Sequence, residues 1–418
     1  MANDDRGLKQ AGEVIHLDDT EATVDAVQHA KPYLKYLEAS LGLRDHWYPA
    51  LFARELKEGE VKSEVLLGER VLFKRVEGKV YAIEDRCAHR GVPFSAKPEC
   101  YSKNSITCWF HGYTYDVRDG KLIQVLTEPG SNLVGKVSIK SYPVEEVNDV
   151  VFVFIGDMSP PPPVTHDIQP RFLTEGMVIR PLARHKVKAN WRLAAEEGWD
   201  SAHVYGHRDA EIFKRMAPLT IPLSTHASSR AFTTVKDQEW PKGVYKRDNV
   251  SVWSAEIEGV QVVAPNVDPN NPPPPWNTDA LEISLFLPCG LQARHFPAAG
   301  VYHFEWYVPV DEEHHMYTIA QGMVVDGPEQ KQRFFEDCEK TYGPLIWTQP
   351  GTQPEGLVNF DVFIREQMQT AYGQEDWWNR ERLYKPDLII VQWRMLVARH
   401  MRGLQRREHW TRADNARP

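Results

Sequence analysis

Residues 87–112 read CAHRGVPFSAKPECYSKNSITCWFHG. This stretch holds three of the five cysteines and two of the 16 histidines, set as Cys87-x-His89 and, after 18 residues, Cys108-x2-His111. Thiol and imidazole at such spacing indicate a metal site. Two readings are open. A structural zinc would close all four donors into one tetrahedron. A Rieske [2Fe–2S] cluster would place both cysteines on one iron and both histidines on the other, so that each loop reaches both irons. Zinc fingers more often pair Cys with Cys and His with His. Trp109 and Phe110 supply apolar cover, Gly112 permits a tight turn, and Gly91-Val92-Pro93 stiffens the first loop.

The other cysteines do not extend the pattern. Cys100 lies inside the spacer but off the motif, and Cys289 and Cys338 have no partner at ligand spacing. So few cysteines make no disulfide framework, and the expected setting is a reducing cytoplasm. At 418 residues the chain can bury a large core and form two domains. A net charge of −9 gives nucleic-acid binding no electrostatic support. No run approaches the roughly 18–20 apolar residues that cross a bilayer, and MANDDRGLKQ does not read as a secretory signal. No glycine-rich nucleotide loop is present, so electrons would have to come from another protein.

Composition divides the chain into a charged segment at 1–45, helical around Pro32–Leu43, then 46–158, then 159–418. From about residue 46, short alternating runs such as Val71–Val76 and Lys79–Ile83 are punctuated by Gly68 and Gly78, which predicts small antiparallel β-structure with the Cys/His loops at strand ends. Val150–Ile155 reads as a buried closing strand, and Pro160–Pro163 as a stiff boundary. Beyond it, strand-like runs at 281–287 and 302–308 combine with helical pieces at 190–215, 327–341 and 378–404. That mixture predicts an α+β domain. A second proline run, Pro272–Pro275, reads as a surface loop.

A second metal site is written in NWRLAAEEGWDSAHVYGHRD, residues 190–209. On a helix His203 and His207 share a face, so both rings reach one ion. Asp200 lies one turn earlier, where a carboxylate can orient a ring N–H. Trp191, Leu193 and Trp199 would bury the rest of that helix. Two imidazoles and one carboxylate on Fe(II) leave open positions for O2 and substrate.

Taken together, DRCAHRGV, ITCWFHGYTY, NWRLAAEEGWD and FEWYVPVDE resemble the Rieske non-haem iron oxygenases that hydroxylate aromatic rings. The resemblance covers nearly all of the chain beyond about residue 30. It implies a [2Fe–2S] cluster on Cys87, His89, Cys108 and His111. It also implies a mononuclear Fe(II) on His203, His207 and a late carboxylate, Asp361, with Asp376 and Glu366 as rivals. Asp361 is expected to open a helix whose Val362, Phe363, Ile364 and Met368 pack inward. Asp200 matches the residue that links the two metal centres. Gly198, Leu291, Phe296 and Leu357 are implied pocket residues. The expected fold is an antiparallel β Rieske domain followed by a helix-grip, START-like catalytic domain. The expected assembly is a homotrimer served by a ferredoxin and a separate reductase, acting on O2 and a small, N-heteroaromatic substrate. A 230–275 insertion and the longer N-terminus depart from the family pattern. Monohydroxylation, O- or N-demethylation, a non-catalytic electron carrier and a zinc-stabilised binding protein remain as alternatives.

Overall fold

The structure, a computed structural model, describes residues 33–200, 202–207, 210–214, 219–222, 250–254, 259–262, 282–294, 296–298, 300–374, 377–384 and 387–411. Asp376, the proline run at 272–275, most of the 230–275 insertion and the first 32 residues lie outside them. The chain forms two compact units.

The described residues of one unit are 41–164, 308–311 and 402–411. It is built of short strands: β1 (Leu43–Arg44), β2 (His46–Phe52), β3 (Val61–Leu66), β4 (Glu69–Val76), β5 (Lys79–Glu84), β6 (Ser105–Thr107), β7 (Tyr113–Asp116), β8 (Leu122–Val125), β9 (Ser141–Tyr142), β10 (Val144–Val147) and β11 (Val150–Ile155). They pair antiparallel as β3-β4-β5-β9, β10-β11-β2 and β6-β7-β8. Two-residue turns set the register. Leu67-Gly68, Glu77-Gly78 and Asn148-Asp149 each carry two positive φ angles between paired strands, the geometry of turns that match strand twist. Strand β11 is buried along its whole length, as its unbroken apolar run requires between two partners. A late pair of residues, Gly403–Leu404, adds to β1. Arg44 binds Glu69, Asp157 and Gln405 there.

The other unit comprises, among the described residues, 33–40, 165–307 and 312–401. Its strands are β12 (Met177–Val187), β13 (Leu219–Pro222), β14 (Val250–Ser254), β15 (Gly259–Val262), β16 (Glu282–Phe286), β17 (Gly290–Arg294), β18 (Val301–Pro309) and β19 (His315–Val324). Six of them form one sheet in the order β12-β19-β18-β17-β16-β14. The helices used below are α1 (Leu34–Leu37), α2 (Trp191–Trp199), α3 (Pro328–Asp337), α4 (Leu357–Gln374) and α5 (Leu388–His400). Helix α2 is the pivot. Asn190 caps it, with Oδ1 accepting from the Arg192 N–H and Nδ2 donating to the carbonyls of Ser40 and Glu312. Trp191, Leu193 and Trp199 are buried as expected. The helix packs against α4, α5 and strands β16 and β17, so it is held between sheet and helices.

Three local expectations change. The helix expected around Pro32–Leu43 is the single turn α1, because the chain goes extended at β1. The expected helix over 190–215 stops at Trp199, where Asp200 takes an extended ψ of 114°, and a 3₁₀ segment covers Ala202–His207. On α4 the inward face is Val358, Asp361, Arg365 and Gln369, while Phe363 is 64 % exposed. That face meets charged partners, so polar side chains occupy it.

Candidate metal centres

The two Cys/His loops are near copies in their backbone. The Cys87 N–H donates to the Val92 carbonyl and the Gly91 N–H to the Cys87 carbonyl; Cys108 repeats this with Tyr113 and Gly112. The fifth residue of each turn is a glycine with φ near +70° (72° and 70°). Such φ is free only for glycine. At Gly112 a Cβ would also lie 2.6 Å from Leu126 Cβ. Gly112→Ala is therefore expected to abolish cluster loading, read as loss of visible absorption. A normally coloured variant would show that this turn is dispensable.

These turns aim two sulfurs inward and two rings outward. Cys87 and Cys108 are each 2 % exposed, His111 is half-buried and His89 is exposed. The rings of His89 and His111 lie 4.8 Å apart, and His89 stacks on Tyr113. Burial pushes the Cys87 thiol up to about 11, and the neighbouring Cys108 adds to the shift. A bound cation would therefore be needed to hold thiolates here at neutral pH. The buried Nδ1 of His111 has no hydrogen-bond partner among the described residues, which suits a nitrogen reserved for metal. Among the described residues, the one group of three or more His, Cys, Asp or Glu donors within 4.8 Å of one another is a different one. A single zinc would draw the Cys/His quartet inside that radius. Two sulfide-bridged irons would spread it. Cys100 is exposed, and Cys289 and Cys338 are buried thiols.

The close group is His203, His207 and Asp361. Asp361 Oδ1 stands 2.8 Å from His207 Nε2 and 3.7 Å from His203 Nε2, with the two rings 5.0 Å apart. His203 Nδ1 hydrogen-bonds the Asp200 carbonyl, so Nδ1 carries the proton and the Nε2 lone pair faces inward. Burial, reinforced by His207, lowers the His203 pKa and keeps that ring neutral. Burial alone would raise the Asp361 carboxyl, but His207 and Arg365 more than offset it and hold it ionised. Asp361 is 5 % exposed and sits on the second turn of α4. Two imidazoles and one carboxylate thus converge, the donor set of a non-haem Fe(II) site with open positions. Of the rival carboxylates, Glu366 accepts from the Lys188 N–H and is outside the group.

Around this triad lie residues that sequence reasoning missed. Arg365, one turn after Asp361, donates Nε to Glu197 and stands over the rings of Tyr307 and Tyr317. The adjacent glutamates in LAAEEGW were the available signal, because paired acids inside a core helix need buried partners. Glu196 is held by Arg394, which also binds Glu381. A cavity of about 280 Å³ opens beside Asp200 and His203, lined also by Glu381, Asp387 and Arg394. Burial, helped by Asp200, pushes the Asp387 carboxyl up to about 7. Among the implied pocket residues, Gly198 abuts Leu291 and the Tyr307 hydroxyl: a Cβ there would fall 3.1 Å and 2.1 Å from them. Leu291 and Phe296 are buried and Leu357 is half-buried.

Comparison with known proteins agrees with this pair of centres. Residues 46–143 match the profile of the Rieske [2Fe–2S] domain. Residues 154–405 match that of the homotrimeric ring hydroxylases. The chain belongs to the homotrimeric ring hydroxylase family. Among the relatives of this ring hydroxylase is the terminal oxygenase component of carbazole 1,9a-dioxygenase from a Sphingomonas species, 38 % identical over 91 % of this chain and 97 % of the relative. The same component from Metapseudomonas resinovorans is 37 % identical over 92 % and 97 %. The solved terminal oxygenase of carbazole 1,9a-dioxygenase from Nocardioides aromaticivorans IC177 superposes with a TM-score of 0.76 at 35 % identity, over 90 % of this chain and 99 % of that one. A reduced oxygenase–ferredoxin complex of carbazole 1,9a-dioxygenase superposes at 0.77 with 34 % identity, over 95 % and 98 %. The ring hydroxylase is an oxygenase whose cofactors are a Rieske [2Fe–2S] cluster and a mononuclear iron. Among the described residues, no helix is long and apolar enough to cross a membrane.

Proposed function

We propose that this chain is the terminal oxygenase of a multicomponent system that dioxygenates an N-heteroaromatic ring, with electrons delivered by a ferredoxin. The carrying observation is the convergence of His203, His207 and Asp361 in a chain that also holds the paired Cys/His turns. In this reading Cys87, His89, Cys108 and His111 hold the cluster, and His203, His207 and Asp361 hold the iron. The ferredoxin follows from relatives solved with one and from the absence of a nucleotide loop in the sequence. The cytoplasm is the proposed location, and 46–158 and 159–418 are the proposed Rieske and catalytic domains.

The iron, when bound, supplies O2 activation. The chain's own residues do the rest. Asp200 orients His203 through its carbonyl, and we assign its carboxylate to the link with a cluster histidine. Arg365 and His207 keep Asp361 ionised, so the site carries the negative charge that a hard cation prefers. Gly198, Leu291, Phe296 and Leu357 exclude water beside the ring. Overall, one O2, two electrons and two protons add two hydroxyls to adjacent ring carbons.

The test is turnover with a reconstituted ferredoxin and reductase on carbazole, a 2-quinolone and an aryl methyl ether under ¹⁸O2. Doubly labelled ring products are expected. Formaldehyde from the ether with no ring product would replace this reading with demethylation. Metal analysis discriminates the electron carrier: three irons per chain fit the oxygenase, and two would fit the carrier.

A further inference from the structure

The cavity beside Asp200 and His203 has a wall of acids, one of which no step above uses. Its volume is about 280 Å³, and Glu196, Glu197, Asp200, Glu381 and Asp387 border it. A space of that size with so polar a lining holds several waters. Four of the five acids are already engaged. Arg394 binds Glu196 and Glu381, Arg365 binds Glu197, and Asp200 is assigned to the link with the cluster. Asp387 is 9 % exposed and forms no ion pair among the described residues; its Oδ2 accepts the Tyr384 N–H.

The setting of Asp387 suits it to carry a proton. Asp200 follows α2, His203 lies on the 3₁₀ segment, Glu381 and Arg382 precede α5, and Arg394 is on α5; all share the cavity with it. Arg382 directs Nη1 to the carbonyls of Arg380 and Glu381, and Tyr372 donates its hydroxyl to Glu381. Burial pushes the Asp387 carboxyl up, the Tyr384 N–H and Arg394 pull it down, Asp200 and Glu381 push it further, and it comes to about 7. Such a group gives and regains a proton with little penalty near neutral pH. Arg382 is exposed, so solvent reaches that wall, while His203 lies at the buried side.

We propose that Asp387 stores one of the two protons that ring dioxygenation consumes and delivers it through cavity water toward His203 and the iron site. Its O–H bond breaks, the proton joins an oxygen derived from O2, and the electrons are those the ferredoxin supplies. The carboxylate left behind regains a proton from solvent through the same water. The inference rests on the ring-oxygenase reading above and adds its proton source. A purely structural acid at the start of α5 would need no titration near neutral pH.

The first measurement is infrared difference spectroscopy of the resting, metal-loaded enzyme across neutral pH. A carboxylic-acid C=O band is expected to fade with a midpoint near 7 and to be missing from Asp387→Asn. The second is single-turnover product formation by chemically reduced enzyme with carbazole, which needs no ferredoxin. The wild-type rate should fall as pH rises through the same midpoint, because the acid form is the donor. Asp387→Asn should keep both metals, slow about a hundredfold and lose that limb. Asp387→Glu should keep the limb, with band and midpoint both shifted. A band that survives in Asp387→Asn overturns the proposal, and so does an unmoved band in Asp387→Glu should the first variant fail to fold. Ring product formed at a rate flat across neutral pH sinks this inference alone. A loaded wild type that yields no product from any ring compound sinks the ring-oxygenase reading with it.

Discussion

Asp361→Ala loses the mononuclear iron, drops turnover by about a thousandfold or more, and leaves the cluster spectrum and the trimer intact. That is the expected result, and it follows from the triad's geometry. Oδ1 of Asp361 stands within 3.7 Å of both Nε2 atoms and brings the group's only negative charge. Two neutral imidazoles alone hold Fe(II) weakly. The measurement is iron per chain beside cluster absorbance: two irons with full colour is the expected pair. Full iron and activity in this variant, with loss in Asp376→Ala or Glu366→Ala, would reassign the third ligand.

The second large effect concerns the route of electrons. We propose that each cluster serves the iron of a neighbouring subunit, with Asp200 as the link. Cys87→Ser lacks a cluster and His203→Ala lacks the iron, so each alone is expected to be dead. Co-expressed into shared trimers, they should recover about a quarter of wild-type activity. In a closed ring with random mixing, half of the junctions have an intact cluster upstream, and half of those have an intact iron downstream. Mixed trimers that form and stay dead, while wild type handled alike is active, exclude the inter-subunit route. Asp200→Asn in otherwise intact trimers should keep both metals yet turn over slowly, because an amide cannot take the same charge-assisted bond.

The Cys/His loops stood out because their thiols and imidazoles lie at short, local spacings, and the two turns repeat the same backbone hydrogen bonds. His203 and His207 were legible as a pair for the same reason, although the helix that was to carry them ends at Trp199. Their distance survives because the 3₁₀ segment still returns the rings to one side, 5.0 Å apart. Asp361 was reachable only through family resemblance: its partners are far away in sequence, and an acid on a helix looks like any other. The inward face of α4 misled for a related reason. Of Val362, Phe363, Ile364 and Met368, expected inside, Ile364 and Met368 line the cavity, whereas Phe363 is exposed and the buried stripe holds Asp361, Arg365 and Gln369. His303, Glu305 and Tyr307 hid in HFEWY, since alternating polar residues on a strand read as a solvent face until the strand is found in mid-sheet.

The pairing of Gly403–Leu404 with β1 has a consequence for how the molecule is made. Arg44 and the Gln405 that it binds are separated by 361 positions. The β unit is thus completed by a strand that follows most of the other unit in sequence. Every ligand of the first motif is synthesised long before the polypeptide that seals its domain. A late nonsense codon, one sparing all seven proposed metal ligands, would still leave that first domain without its closing strand.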